Sequence, residues 1–186
     1  MTTTGKPVLA VVSGPPRTGK TTLAHRIARE VGCPAVIRDE IKQGMVLADP
    51  GYQAGGDDPL NLSALRAFFG VLETLVRSGV TTVAEAAFQD RLWTPHLRPL
   101  TTHADLRIIR CTIEAATARA GLDPHRAAHA DQDLLDAIAA GRHSLDDFVD
   151  IRMDVPLLTV DTSDGYQPGI GDIAAFVTQP TTSAIL

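Results

Sequence analysis

The sequence has little of what marks secreted, disulfide-bonded or membrane-spanning proteins. Its 186 residues include two cysteines, Cys33 and Cys111, which form no CxxC pair and no disulfide framework. The N-terminal apolar run is too short for a signal peptide, and no apolar run is long enough to cross a bilayer. We therefore expect a cytoplasmic protein with no membrane contact, in which both cysteines are small buried residues.

Positive charge is also scarce. With 17 lysines and arginines against 22 acidic residues, the formal net charge is −5, which argues against long contacts with nucleic acid. A short oligonucleotide end in a local basic cleft stays compatible with this charge. Hydrophobic residues make up 44% of the chain and charged residues 21%, an ordinary globular composition that predicts one domain over residues 1–186.

Apolar runs typical of buried strands alternate with helical patterns along the chain. Residues 20–32 and 60–79 have amphipathic helical spacing, and residues 39–48 indicate a helix with Asp39 as its N-cap. We predict strands at residues 7–14, 34–37, 80–88, 105–111 and 156–163. This alternation predicts a parallel α/β sheet with helices on both faces, whose ligands bind at the carboxyl ends of the strands.

The stretch SGPPRTGKTT, at residues 13–22, fits the phosphate-binding pattern G-x-x-x-x-G-K-[ST]. It follows a predicted strand and opens a predicted helix, which is the context that this motif requires. Lys20 suits the β- and γ-phosphates of a nucleoside triphosphate, and the Thr21 hydroxyl suits a magnesium ion. We expect ATP to bind along the whole loop, at Gly14, Pro15, Pro16, Arg17, Thr18, Gly19, Lys20, Thr21 and Thr22.

Two other classes of nucleotide-binding protein lack their signatures here. A guanine-nucleotide switch carries an Asn-Lys-x-Asp base reader, and the single asparagine, Asn61, lies in no such motif. A motor-type ATPase has a strand that ends in Asp-Glu, but Ala86 follows Glu85 and Thr162 follows Asp161. A small-substrate kinase fits the remaining features better.

Such a kinase needs a carboxylate for the acceptor and arginines that cover the transferring phosphoryl group. Arg38 and Asp39 follow the second predicted strand. Asp39 has two interpretations. It either acts on the acceptor hydroxyl, by taking its proton or by orienting it, or it only caps its helix. Residues 112–142 form a predicted helical lid with Arg119 and Arg126, which either close over the phosphates or lie on a solvated helix face.

The two stretches SGPPRTGKTT and VIRDEIKQGM together resemble the P-loop kinase group that includes polynucleotide kinase, zeta toxin and chloramphenicol phosphotransferase, often described as AAA-type ATP-binding proteins. The likeness is strongest over residues 8–46. It implies strand order 2-3-1-4-5, ATP with Mg²⁺, a catalytic carboxylate at Asp39 and an acceptor contact at Arg38. It also implies an acidic residue near the metal or the acceptor at the end of the third strand, where Glu85 stands, with Asp161 as the competing carboxylate.

Two further features keep two interpretations each. Trp93 either stacks a base or ring beside neighbouring cations or packs a helix against the sheet. Residues 161–169 either border the adenine or form a plain turn.

The sequence thus predicts transfer of a phosphoryl group from ATP to a hydroxyl of a small molecule. Two alternatives stay open, a polynucleotide 5′-hydroxyl kinase and a regulatory module that binds or hydrolyses ATP without a small-molecule acceptor.

Overall fold

The computed structural model describes residues 5–53, 58–113 and 148–179. The strands are β1 (Val8–Ser13), β2 (Ala35–Ile37), β3 (Thr82–Glu85), β4 (Asp105–Thr112) and β5 (Leu157–Asp161). The helices are α1 (Lys20–Val31), α2 (Arg38–Ala48), α3 (Pro59–Arg77), α4 (Asp90–Leu97), a 3₁₀ segment (Arg98–Thr102) and α5 (Ile170–Thr178). The strands form one parallel sheet in the order β2-β3-β1-β4-β5, which confirms the predicted order.

Strand β1 is apolar from Val8 to Val12 because both of its faces are buried. Leu9 and Val11 belong to one core, together with apolar residues of α3 and α4. Ala10 and Val12 face the opposite core, with apolar residues of α1 and α5. Successive side chains of a strand point to opposite faces, so a central strand between two helical layers has no polar side to show.

The strand register brings three chain segments to one edge of the sheet. Glu85 lies opposite Val12 in β1 and opposite Ile37 in β2. The residues after these strands therefore start at the same level, and they include the phosphate-binding loop and the beginning of α2. This is the carboxyl edge at which a parallel sheet binds its ligands.

Helix α2 begins two residues earlier than its capping pattern predicts. Its N-cap is Ile37 and its first residue is Arg38, so the prediction of Asp39 as N-cap was wrong. Asp39 instead lies in the first turn, where a carboxylate is favoured by the partial positive charge of the helix N-terminus. Its side chain is 46% exposed and therefore accessible to a ligand.

Helix α3 meets the length and hydropathy of a membrane span, contrary to the sequence expectation. It has 19 residues, and an 18-residue window within it has a mean hydropathy of 1.2. Its buried residues recur every four positions and pack into a core against the sheet; they are Ala64, Phe68, Leu72 and Val76. That spacing is typical of an amphipathic helix on a folded domain, so this one helix does not indicate a membrane protein.

Candidate active site

The phosphate-binding loop has a backbone that only certain residues can adopt. Gly14 has φ of 149°, and a Cβ there would lie 2.5 Å from the carbonyl oxygen of Cys111 on β4. Gly19 and Arg17 have φ of 69° and 65°, in the left-handed region that a side chain disfavours. Arg17 also holds a buried Nη1 with no hydrogen-bond partner among the described residues. The loop is thus a strained, tightly wrapped turn that carries an unused donor, as an anion-binding site would.

Lys20 lies across this loop. Its Nζ donates to the Pro15 carbonyl oxygen at 2.7 Å, and the Thr18 hydroxyl donates to the same oxygen at 2.9 Å. Lys20 is only 5% exposed, although it is a charged residue at the first position of α1. The ammonium group is therefore held over the loop, where its hydrogen-bond acceptor can change from the Pro15 carbonyl oxygen to a phosphate oxygen.

Glu85 is the buried acidic residue beside the loop. Its Oε2 accepts a hydrogen bond from the Thr21 hydroxyl at 2.9 Å, and the residue is 3% exposed. Burial raises the pKa of Glu85, the Lys20 charge and the Thr21 hydrogen bond oppose the rise, and the charges of Asp39 and Glu40 add to it. A hydroxyl and a carboxylate oxygen are hard ligands of the kind Mg²⁺ prefers. Acidic neighbours around a buried carboxylate make a cation at this point still more favourable.

Asp161, the competing metal-side carboxylate, lies elsewhere. It ends the edge strand β5, is exposed, and its Oδ1 accepts from the Ser163 backbone at 2.8 Å. The structure thus brings Glu85, and not Asp161, to Thr21. The segment after β5 nevertheless reaches the loop, because the Thr162 hydroxyl donates to the Thr18 carbonyl oxygen at 2.8 Å. Both the adenine border and the plain turn remain compatible with this contact.

Arg38 and Asp39, which the sequence predicts on the acceptor side, are hydrogen-bonded to each other. Arg38 Nη1 donates to Asp39 Oδ1 at 2.9 Å, and Nη2 donates to Asn61 Oδ1 on α3 at 2.8 Å. The guanidinium carbon lies 6.0 Å from the centre of the Phe88 ring, just after β3. Arg38 is therefore fixed between two helices and an aromatic face, while Asp39 stays open to solvent.

A second polar contact ties the same two helices together. Lys42 Nζ on α2 lies 2.8 Å from Asp58 Oδ2, and both side chains are buried. The Tyr52 hydroxyl and the Leu60 backbone N–H also donate to this carboxylate, at 2.7 and 2.9 Å. In the sequence, Asp58 followed by Pro59 before an amphipathic run is a signal for the start of a helix. Nothing in the sequence pairs Lys42 with it.

No model of a protein family and no curated protein matched the chain. Solved structures did. A candidate kinase from Chloroflexus aurantiacus J-10-fl is 26% identical, with a TM-score of 0.69 over 94% of this chain and 95% of that one. The fold is that of the P-loop kinase group.

Two further structures agree at the level of the fold. A sugar kinase from Janibacter sp. HTCC2649 is 17% identical, with a TM-score of 0.60 over 91% of this chain and 93% of that one. The APS kinase CysC of Mycobacterium tuberculosis, solved with AMPPNP and APS, is 15% identical, with a TM-score of 0.60 over 92% and 95% of the two chains. The predicted resemblance to P-loop kinases is confirmed.

In this P-loop kinase fold Trp93 has a structural position. It is fully buried, with its ring centre 5.6 Å from that of Phe68 in the core between α3, α4 and the sheet. A ring with no exposed surface cannot stack a base, so the packing interpretation is confirmed. Cys111 is also buried, which raises its pKa to about 12, whereas Cys33 is only partly buried.

The predicted lid cannot be placed in the same way. Arg119 and Arg126 lie outside the described residues, as does the rest of residues 112–142 apart from Thr112 and Ile113. Their assignment to the transferring phosphoryl group stays a prediction from the sequence.

Proposed function

We propose that the protein transfers the γ-phosphoryl group of ATP to a hydroxyl of a small molecule. The observation that carries the proposal is the meeting of three parts at one edge of the sheet. Lys20 lies over the phosphate-binding loop, Glu85 accepts from Thr21, and Asp39 is close enough for its charge to raise the pKa of Glu85. The register also places Glu85 opposite Ile37, which directly precedes Arg38 and Asp39, so a nucleotide side and an acceptor side would meet at this edge.

On the nucleotide side, Lys20 would exchange the Pro15 carbonyl for oxygens of the β- and γ-phosphates. The loop backbone and the buried Arg17 Nη1 would supply further donors. The Thr21 hydroxyl and the Glu85 carboxylate would hold Mg²⁺. When bound, that ion neutralises phosphate charge.

On the acceptor side, the exposed Asp39 carboxylate would orient the hydroxyl. The hydroxyl oxygen forms a bond to the γ-phosphorus, the bond from that phosphorus to the leaving oxygen of ADP breaks, and Asp39 takes the proton late in the transfer. Arg38, fixed by Asn61, would contact the acceptor or the phosphoryl group. We assign Arg119 and Arg126 to the lid that excludes water during this step.

The acidic net charge favours a small acceptor over a polynucleotide end. The named neighbours that act on sugars and on APS support the same class of acceptor. Two free cysteines are consistent with a reducing compartment, and we place the activity in the cytoplasm.

The test is a mass-shift screen with MgATP against nucleosides, nucleotides, sugars, antibiotics and 5′-hydroxyl oligonucleotides, with ADP release measured in parallel. We expect one acceptor class to gain the mass of a phosphoryl group and to accelerate ADP release. Lys20→Ala should lose both signals. Lys6→Ala removes an exposed lysine bound only to the Thr101 carbonyl oxygen among the described residues, and it should keep both signals.

The alternatives predict other outcomes of the same screen. Phosphorylation of oligonucleotides alone would assign the protein to the polynucleotide kinases. ADP release that no acceptor accelerates, together with no mass shift in any class, would overturn the proposal in favour of an ATP-hydrolysing regulatory module.

A further inference from the structure

A groove lies on the molecule away from the phosphate-binding loop. It runs between α3 and the segment formed by α4 and the 3₁₀ turn, with a cavity volume of about 410 Å³. Its lining includes Leu100 and His103, which precede β4, whereas Thr112 ends β4 at the active-site edge. At about 3.3 Å per residue, the length of β4 separates the two ends by roughly 23 Å. The cavity has the volume of a small-ligand site, and its lining contains none of the residues assigned to the candidate active site.

One wall of the groove contains a stacked pair of rings. The rings of Phe69 on α3 and His96 on α4 stack with centres 4.2 Å apart and planes at 12°. His96 is oriented by a contact between its Nδ1 and the Leu92 carbonyl oxygen at 2.9 Å. Since each ring is on a different helix and the two stack on each other, this wall of the groove is preformed.

Gly70 lies next to this wall and has no structural reason to be glycine. It is in the interior of α3, where glycine destabilises a helix relative to alanine. A Cβ at this position would meet no atom within 4 Å, and its φ is not in the left-handed region. Packing and backbone geometry would both allow a side chain here. Because Gly70 has no side chain, the groove stays open beside the Phe69–His96 pair.

The groove also carries positive charge in a chain that is acidic overall. Arg66 precedes Gly70 by one turn on the same helix face, is exposed, and forms no ion pair with a described residue. The acid in the lining, Glu73, is bound by Arg77 Nε at 2.8 Å. The cation at Arg66 is therefore the charge most available to a ligand.

We propose that this groove is a second binding site, for a small organic anion with an apolar body. The anionic group pairs with Arg66, and the body lies over Gly70 against the Phe69–His96 wall. The residues that carry this proposal are not those assigned to phosphoryl transfer, so it does not depend on the proposed function.

The test uses the fluorescent anion 1-anilinonaphthalene-8-sulfonate, titrated into the full chain with MgATP at saturation to block the nucleotide site. We expect saturable binding of one dye molecule per chain. Arg66→Gln should weaken it by about fivefold, the scale of a solvent-exposed ion pair. Gly70→Leu should abolish it. Gly70→Ala should weaken it while raising the melting temperature, which a purely structural role of Gly70 would not predict.

Arg29→Gln is the matched control, because Arg29 is an exposed helix arginine on α1, which packs on the other face of the sheet. It should leave dye binding unchanged. Dye binding that Arg66→Gln and both Gly70 variants leave intact, or the absence of saturable binding, would overturn the proposal. Lys20→Ala should retain dye binding, so a failure of the kinase proposal and a failure of this one are distinguishable.

Discussion

The two halves of the active site are built in different ways. The contacts that hold Lys20 over the phosphate-binding loop are local, since Thr18 and Lys20 both bind the carbonyl of Pro15, three and five residues away. The proposed acceptor side depends on contacts between helices, because Arg38 reaches Asn61 across 23 residues and Lys42 binds Asp58 at the start of α3. One half is a continuous motif, and the other is an assembly.

This difference has consequences for how each half fails. A substitution in the loop removes a phosphate contact but leaves the buried sheet and helices as they are. A substitution at the junction of α2 and α3 can change the relative position of the two helices and thus the position of Arg38. We therefore expect chemistry and stability to separate in the first half and to be coupled in part of the second.

The largest expected effect is that of Lys20→Ala. The variant loses the cation that faces the β- and γ-phosphates, so transfer should fall below detection and ATP binding should weaken. Its melting temperature should stay near that of the wild type, because the lost contact is local to the loop. Turnover at the wild-type rate would contradict the assignment of the loop.

Asp39→Asn should have the next largest effect, on activity alone. Acceptor phosphorylation should fall by about 10² to 10⁴, the range for a general base. ATP binding and stability should hardly change, since the side chain is half exposed and does not cap α2. The measurements are acceptor turnover, acceptor-independent ATP hydrolysis and thermal unfolding in the same preparations. Normal turnover would show that Asp39 has no role in the transfer.

The phosphate-binding loop, the continuous half, could be predicted from the sequence. Residues 13–22 could be assigned because strand, glycines and lysine are adjacent in the chain, and strand β1 was evident because both faces are apolar. The choice between Glu85 and Asp161 depended on register, which places Glu85 opposite Val12 and next to the loop. No local pattern carries that information.

The proposed acceptor side, the assembled half, could be predicted from the sequence only in part. Arg38 and Asp39 could be assigned to the strand end, but the capping prediction failed because α2 begins directly at Arg38, with no separate capping side chain. A buried Lys42 goes against the usual exposure of lysine, and its burial follows from a carboxylate on another helix. Pairing across helices is a property of the packed molecule.

Asp58→Ala tests whether this assembly carries stability. Asp58 accepts from Lys42, from the Tyr52 hydroxyl and from the Leu60 N–H, so its loss removes a helix cap and a charge-assisted contact together. We expect a loss of about 2–4 kcal/mol in urea unfolding. Lys42→Met should cost less, because Asp58 keeps its other two donors. Equal, small losses would show that the junction is not an assembled unit.

The same residue predicts an acid dependence. Burial tends to raise the pKa of Asp58, but hydrogen bonds from Lys42, Tyr52 and the Leu60 N–H outweigh it and hold the pKa below its ordinary value. A lowered pKa means that the contribution of Asp58 to stability is present above the unfolded-state pKa and is lost as the pH falls through the folded-state pKa. On acidification the wild type should therefore lose more stability than Asp58→Ala, as unfolding at several pH values would measure.

The smallest expected effect is that of Glu85→Gln on the stability of the ligand-free protein, and its sign is opposite. Burial raises the pKa of Glu85, so the protonated form is favoured in the folded state, and stability falls as the pH rises toward that raised pKa. Glutamine can still accept from the Thr21 hydroxyl but carries no charge to desolvate. At neutral pH the variant should melt higher by about 2–4 °C, which corresponds to about 1 kcal/mol in a chain of this size. The difference should close as the pH falls through the pKa of Glu85, and MgATP should stabilise the wild type more than the variant.

Asp161→Asn removes an exposed carboxylate at the far edge strand and should show neither effect. A difference that does not change with pH would mean that the charge of Glu85 is compensated in the folded protein without a bound cation.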